Sequence, residues 1–155
     1  MEITIQRTTE DEATVLLAIQ KEAFLEDLTR YHDHETNPAN ETISRLRTKI
    51  QNYTHFTIWL QDEIIGGIDI RELNNHVYRL NRIYLAKAQQ NKGFGSHIMH
   101  WVENQFSCAL EWHLDTPHLN TRNHHFYEKL GYQKVGEHRI SETLLLFDYV
   151  KKVEK

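Results

Sequence analysis

The chain has one cysteine, Cys108, and two prolines, Pro38 and Pro117, in 155 residues. A single cysteine excludes an intramolecular disulfide and fits a reducing compartment; as a residue type it is expected to be buried and inert. Isolated prolines, with no Gly/Ser-rich stretch and no recurring period, offer nothing that divides the sequence, so residues 1–155 are expected to form one domain. A basic excess is also missing. Lys and Arg number 18 against 22 Asp and Glu, a formal charge of −4 that leaves no footprint for a phosphate backbone and argues against nucleic acid as the partner. No run of 18 apolar residues occurs, and Met1–Arg7 lacks the apolar stretch of a signal peptide. The expectation is a soluble, cytoplasmic protein with no membrane partner.

What is present is an alternation of strand and helix patterns. Ile3 and Ile5 mark a strand within Met1–Arg7, and Thr9-Glu10-Asp11-Glu12 reads as a capping box before a helix carrying Leu16, Ile19 and Ala23. From Asp27 to Asn40 the chain is polar and irregular, and a second helix is expected over Glu41–Gln51. Phe56–Leu60 and Ile64–Ile70 alternate around the turn at Asp62-Glu63 and read as an antiparallel pair. In Val77–Leu85, Tyr78 and Leu80 hold one phase of the alternation, Ile83 and Leu85 the other. A β-bulge near Asn81 or Arg82 accounts for the slip, and so does a misplaced strand boundary. Helical spacing from Gly93 to Phe106, a strand through Leu110, Trp112 and Leu114, a helix over Thr121–Leu130 stopped by Gly131, and late β structure at Thr143–Val150 complete the order β-α-α-β-β-β-α-β-α-β-β, a mixed α/β chain.

The segment Gln90-Asn91-Lys92-Gly93-Phe94-Gly95-Ser96 lies between a strand and an amphipathic helix. Its glycines permit either an anion cradle, in which amide hydrogens and the helix dipole hold phosphate oxygens, or merely a tight turn. It is neither a Walker loop nor a dinucleotide fingerprint, because the required residues and spacings are missing. It does resemble the acyl-CoA loop of the GNAT superfamily of N-acetyltransferases, Gln/Arg-x-x-Gly-x-Gly/Ala, with Gln90, Gly93 and Gly95 at the motif positions. Downstream, Asn120 to Tyr132 resembles that family's Asn-x-x-Ala-x-x-Phe-Tyr-x-x-x-Gly-Phe/Tyr helix, with Asn123 in place of the common alanine.

The resemblance spans essentially the whole chain. It implies a mixed, mostly antiparallel sheet with helices on both faces and a bulged, splayed central strand pair, and an acetyl group delivered by acetyl-CoA. It also implies that Gln90, Asn91, Lys92, Gly93, Phe94, Gly95 and Ser96 hold the diphosphate. The backbone of Ile83, Tyr84 and Leu85 would hold pantetheine, and Asn120, Asn123 and Tyr127 would line the thiol end. Tyr127 matches the tyrosine that protonates the departing sulfur. A lysine-like amine must first lose a proton, at a cost of about 4.6 kcal/mol at neutral pH, so a base is expected. Where some members carry a glutamate, this chain has Arg79, which cannot serve. Either another carboxylate, of which Asp69, Glu72, Asp33, Glu35 and Asp115 remain, or ordered water is expected to serve.

The acceptor side is expected in the polar stretch Asp27–Glu41, with Asp33, His34, Glu35 and also Asp69 as contacts. Its acids form either a rim for a cationic amine or an ordinary solvated face. Eleven histidines, among them His32, His34 and the adjacent His124 and His125, compose no metal-ligand pattern, and no metal is expected. Leu144-Leu145-Leu146-Phe147 suits a homodimer contact or a plain core. The competing function is a non-catalytic acyl-CoA-binding module that keeps the cradle but lacks a base.

Overall fold

The alternation at Ile3 and Ile5 becomes strand β1 (Ile3–Arg7) in the computed structural model, which describes residues 2–154; Met1, where the sequence reading starts that strand, and Lys155 lie outside the described residues. There follow α1 (Ala13–Tyr31), α2 (Ile43–Asn52), β2 (Thr54–Leu60), β3 (Glu63–Asn74), β4 (Val77–Leu85), α3 (Phe94–Gln105), β5 (Glu111–Pro117), α4 (Thr121–Lys129), β6 (Gln133–Arg139) and β7 (Leu145–Lys152). This is the order of elements read from the sequence. The strands form one seven-stranded sheet in the order β1-β2-β3-β4-β5-β7-β6. Its β1–β2, β2–β3, β5–β7 and β7–β6 pairs are antiparallel, and β4–β5 is parallel.

The capping box forms on a 3-10 turn, Glu10–Glu12, that leads into α1: the Thr9 amide donates to the Glu12 carboxylate at 3.1 Å, and the Glu12 amide donates to the Thr9 carbonyl at 3.1 Å. Three readings need correction. Helix α1 continues to Tyr31, through the start of the stretch read as irregular, because Phe24, Leu28 and Tyr31 keep helical spacing and Tyr31 is buried; His32, with φ 54°, ends it. Helix α2 begins at Ile43, where Thr42 caps it by accepting from the Arg45 amide at 3.2 Å, leaving Glu41 outside. Cys108 is exposed, because the chain leaves α3 after Gln105 and turns before β5.

Two compact units compose the fold. The first reaches to Arg71 and takes up Asn81–Lys92; the second consists of Glu72–Leu80 and the chain from Gly93 onward. In the first, Ala13 and Leu16 of α1, Leu46 and Ile50 of α2, and Tyr84 of β4 form a buried cluster. Along β4, Leu80 and Tyr84 are buried and the residues between them are half-buried. The successive residues Asn81 and Arg82 both reach partners in this unit, Asn81 donating to Asp69 at 2.8 Å and Arg82 to Gln20 at 3.2 Å and Glu41 at 3.1 Å. Tyr84 then turns into the core against Phe24. Room for it comes from β3: a Cβ on Gly66 would stand 2.2 Å from the Tyr84 carbonyl oxygen, and one on Gly67 would stand 2.5 Å from the Tyr84 hydroxyl.

In the second unit, Tyr78 stacks on Trp112 at 5.4 Å and Phe106 closes on both rings, while Ile98, Met99 and Val102 of α3 are buried. The parallel ladder pairs Val77–Arg79 with Glu111–His113 and stops there. Strand β7 lies between β5 and β6, so Leu145, Leu146 and Phe147 face neighbours on both edges; Phe147 packs against His118 and His124 beneath the ammonium of Lys134. No helix among the described residues is long and apolar enough to cross a membrane.

Candidate active site

The loop after β4 is built from backbone that favours small or short polar residues. Asn91 has φ 63° and Gly93 has φ 83°, both in the left-handed region that short polar residues and glycine tolerate best. Gly93 stands at the N-cap of α3, a helix of 12 residues, and has no side chain to occupy the first-turn amides. A Cβ there would meet nothing within 4 Å, so the site is open. These features fit a diphosphate. Asn91, Lys92 and Ser96 are exposed, and Phe94 is half-buried. Gln90 acts within the protein: its side-chain amide donates to the Leu85 carbonyl at 3.0 Å and ties the loop to the end of β4. Gly95 has a packing reason, since its Cβ would stand 3.1 Å from the Phe126 ring of α4. Of the expected pantetheine strand, Ile83 and Leu85 are half-exposed, while the Tyr84 side chain is buried.

Helix α4 fixes Tyr127. The Tyr132 amide donates to the Tyr127 carbonyl and the Gly131 amide to the Glu128 carbonyl, each at 3.0 Å, with Gly131 at φ 101°. This is a Schellman ending, and its usual apolar contact is present as the Tyr127 and Tyr132 rings 5.7 Å apart. Phe126 closes on the other side at 5.1 Å. Burial raises the Tyr127 phenol well above its ordinary value, and the negative charge of Asp115 raises it further, so the hydroxyl stays protonated at neutral pH. Near it, Asn123 donates to Thr116 of β5 at 3.2 Å, and Asn120 heads the helix.

Arg79 and Asp115 face each other across the parallel strands, Nη2 to Oδ2 at 2.8 Å. Asp115 is also in register with Asp148 of β7, and His138 of β6 meets both Asp148 oxygens at 3.0 and 3.1 Å. Four charged or titratable side chains thus cross β4, β5, β7 and β6 in a row. The donor atoms of Asp115, His138 and Asp148 lie within 4.8 Å of one another. Sequence reading names Asp115 only among several acids and misses the row, since Arg79, Asp115, His138 and Asp148 are far apart along the chain.

The first unit places the expected acceptor contacts differently. Asp33 accepts from the Thr36 amide at 3.1 Å and from the Thr36 hydroxyl, closing a local turn. Glu41 lies beneath Lys49 and Arg82 and accepts from Gln20 at 3.1 Å. Burial alone would raise its carboxyl, but the Lys49 hydrogen bond and the Arg82 charge hold it below the usual range. Both acids are therefore withdrawn from the expected rim, whereas His34 and Glu35 are exposed. Asp69 is buried between Arg71 at 3.1 Å and Asn81 at 2.8 Å, opposite His55 on β2. His55 meets the Thr8 hydroxyl at 2.7 Å, and burial lowers its pKa to about 4.

Known structures share this fold. The PaiA N-acetyltransferase of Thermoplasma acidophilum, solved with coenzyme A, is 18% identical, with 99% of this chain and 100% of that one aligned at a TM-score of 0.77. The ribosomal-protein-S18-alanine N-acetyltransferase of Escherichia coli is 12% identical over 99% and 96% of the two chains, with a TM-score of 0.79. A spermidine N-acetyltransferase chimera from Vibrio cholerae is 17% identical over 98% and 96%, with a TM-score of 0.77. At these identities the likeness is one of fold. No curated protein matches the chain significantly by sequence. The model of the acetyltransferase (GNAT) family matches residues 16–132, taking in both the loop and the Tyr127 helix. The chain belongs to the GNAT acetyltransferase family, enzymes that draw their acetyl group from acetyl-CoA.

Proposed function

We propose that residues 1–155 act as one acetyltransferase domain that passes the acetyl group directly to a primary amine of a small molecule or peptide. When bound, acetyl-CoA supplies the acetyl thioester. The loop from Gln90 to Ser96 would hold its diphosphate, with Gly93 and the first amides of α3 as donors. The backbone of Ile83, Tyr84 and Leu85 would hold its amides, and Asn120 and Asn123 would line the thiol end. Tyr127 carries this reading: its ring is fixed by the Schellman ending, and its phenol stays protonated until a thiolate needs a proton. Spermidine and an S18 alanine, the acceptors named for two relatives in fold, are amines of different size, which supports the class without choosing a member. On this chain His34 and Glu35 would meet the acceptor, whereas Asp33 and Asp69 shape the ground behind it. A cytoplasmic setting, where exposed Cys108 stays reduced, suits the reading.

The test is release of CoA thiol from acetyl-CoA against a panel of polyamines, amino sugars and peptide N-termini. Turnover with at least one is expected. A rise in melting temperature with acetyl-CoA, but no thiol released by any amine, would instead mark a binding module.

A further inference from the structure

The proposed reaction needs a group that takes a proton from the incoming ammonium, and naming that group rests on the reading above. Of the five acids the sequence offers, two are committed elsewhere: Asp69 is buried under Arg71 and Asn81, and Asp33 closes its turn with Thr36. Glu35 and Glu72 are exposed. Asp115 differs from all four. It is half-buried, 20% exposed, with one oxygen held by Arg79 at 2.8 Å. Burial alternates along β5, with Trp112, Leu114 and Thr116 buried and His113 and Asp115 half-exposed between them.

The charges around it point the same way. Arg79 faces Asp115 from β4, Asp148 from β7, and His138 reaches Asp148 from β6; Tyr127 on α4 feels the charge of Asp115. Two carboxylates, Asp115 and Asp148, share this row with the one guanidinium of Arg79. Carboxylates side by side favour a cation, and an amine acceptor arrives as one.

We infer that Asp115 is the proton acceptor for the attacking amine, with Arg79 as the residue that positions its carboxylate. Arg79 occupies the place where a base is missing, yet its guanidinium holds a base on the neighbouring strand. The ammonium gives one proton to Asp115, directly or through a water. The freed nitrogen lone pair forms the C–N bond with the acetyl carbon as the C–S bond breaks, and the sulfur keeps that bond's electron pair. The sulfur takes the phenolic proton of Tyr127, the nitrogen's second proton restores Tyr127, and Asp115 passes its own to solvent. The sum is one amide, one thiol and one released proton.

The experiment compares wild type with Asp115→Asn and Asp115→Glu on two acceptors: a strongly basic alkylamine, and O-methylhydroxylamine, which is already neutral at the assay pH. For Asp115→Asn, kcat/KM on the alkylamine should fall on the order of 100-fold, with the loss shrinking below about 10-fold on the weak base. Its residual rate on the alkylamine should climb about tenfold per pH unit as the neutral amine accumulates. Asp115→Glu, which keeps a carboxylate, should recover part of the rate. The rise in melting temperature with acetyl-CoA should match wild type in both variants. Equal losses on both amines, or wild-type kcat/KM in Asp115→Asn, would overturn the assignment while leaving acetyl transfer intact. A wild type that turns over no amine at all would remove the acetyl-transfer reading, and this assignment with it.

Discussion

Each unit of this protein carries a charged network, and the two are built to opposite ends. In the first, Glu41 and Arg82 are 6% and 13% exposed, and Glu41 is held by Lys49, Arg82 and Gln20 at once. In the second, Arg79 and Asp115 are 29% and 20% exposed, and the partner directly across from Asp115 is another acid, Asp148. A buried charge must find all its partners inside the protein, because leaving one unpaired costs several kcal/mol. A half-exposed carboxylate with an acid for a neighbour is under no such constraint and keeps capacity for a passing cation. The first network therefore belongs to the fold, and the second is the one proposed above for the chemistry.

Substitutions that should separate the two begin with the largest effect. Glu41→Leu leaves Arg82 and Lys49 without their anion and should cost about 3 kcal/mol in chemical denaturation. Arg79→Met exposes its partner to water and should cost under about 1 kcal/mol, so equal losses would erase the distinction. The pH dependence of stability comes next. The folded-state pKa of His55 is lowered to about 4 from 6.5, so the fold favours its neutral form. The associated stability is complete above 6.5 and drains away as pH falls toward 4, on the order of 3 kcal/mol in all. Glu41, with its carboxyl held low, loses its share further into acid, and the two add in direction. His55→Gln should flatten the upper part of the acid limb in an unfolding series from pH 7 to 4; an unchanged slope would show that His55 titrates normally. Gly67→Ala, which sets a methyl against the Tyr84 hydroxyl, should cost about 1–3 kcal/mol because that ring is locked in the first core. Gly131→Ala should cost about 1 kcal/mol, from the left-handed backbone that ends α4.

Much of the fold was legible because it rests on short-range signals. The capping box at Thr9, the glycine stop at Gly131 and the strand alternations each lie within a few residues of the element they define. The phase slip in β4 keeps both of its readings, since Leu80 and Tyr84 are buried in one phase while Asn81 and Arg82 both find partners in the first unit. What escaped depends on distant pairing. Gly66 and Gly67 lie inside the run Ile64–Ile70, whose pattern does not single them out, yet they are where β3 admits Tyr84. The acids near Asp27–Glu41 resembled a rim because composition cannot tell that Glu41 turns inward to Arg82 and Asp33 to Thr36. Cys108 followed its residue type in the reading and its turn in the structure. At the candidate site, the loop and Tyr127 were legible from motif spacing, but the pairing of Arg79 with Asp115 spans 36 residues and needs the parallel ladder that joins β4 to β5.

The central claim is that the second unit performs the proton chemistry, and Tyr127→Phe tests it most directly. The substitution keeps the ring that packs against Phe126 and Tyr132 and removes only the hydroxyl. Steady-state thiol release should fall about tenfold or more, with the acetyl-CoA-induced rise in melting temperature unchanged. Wild-type turnover in that variant would contradict the claim.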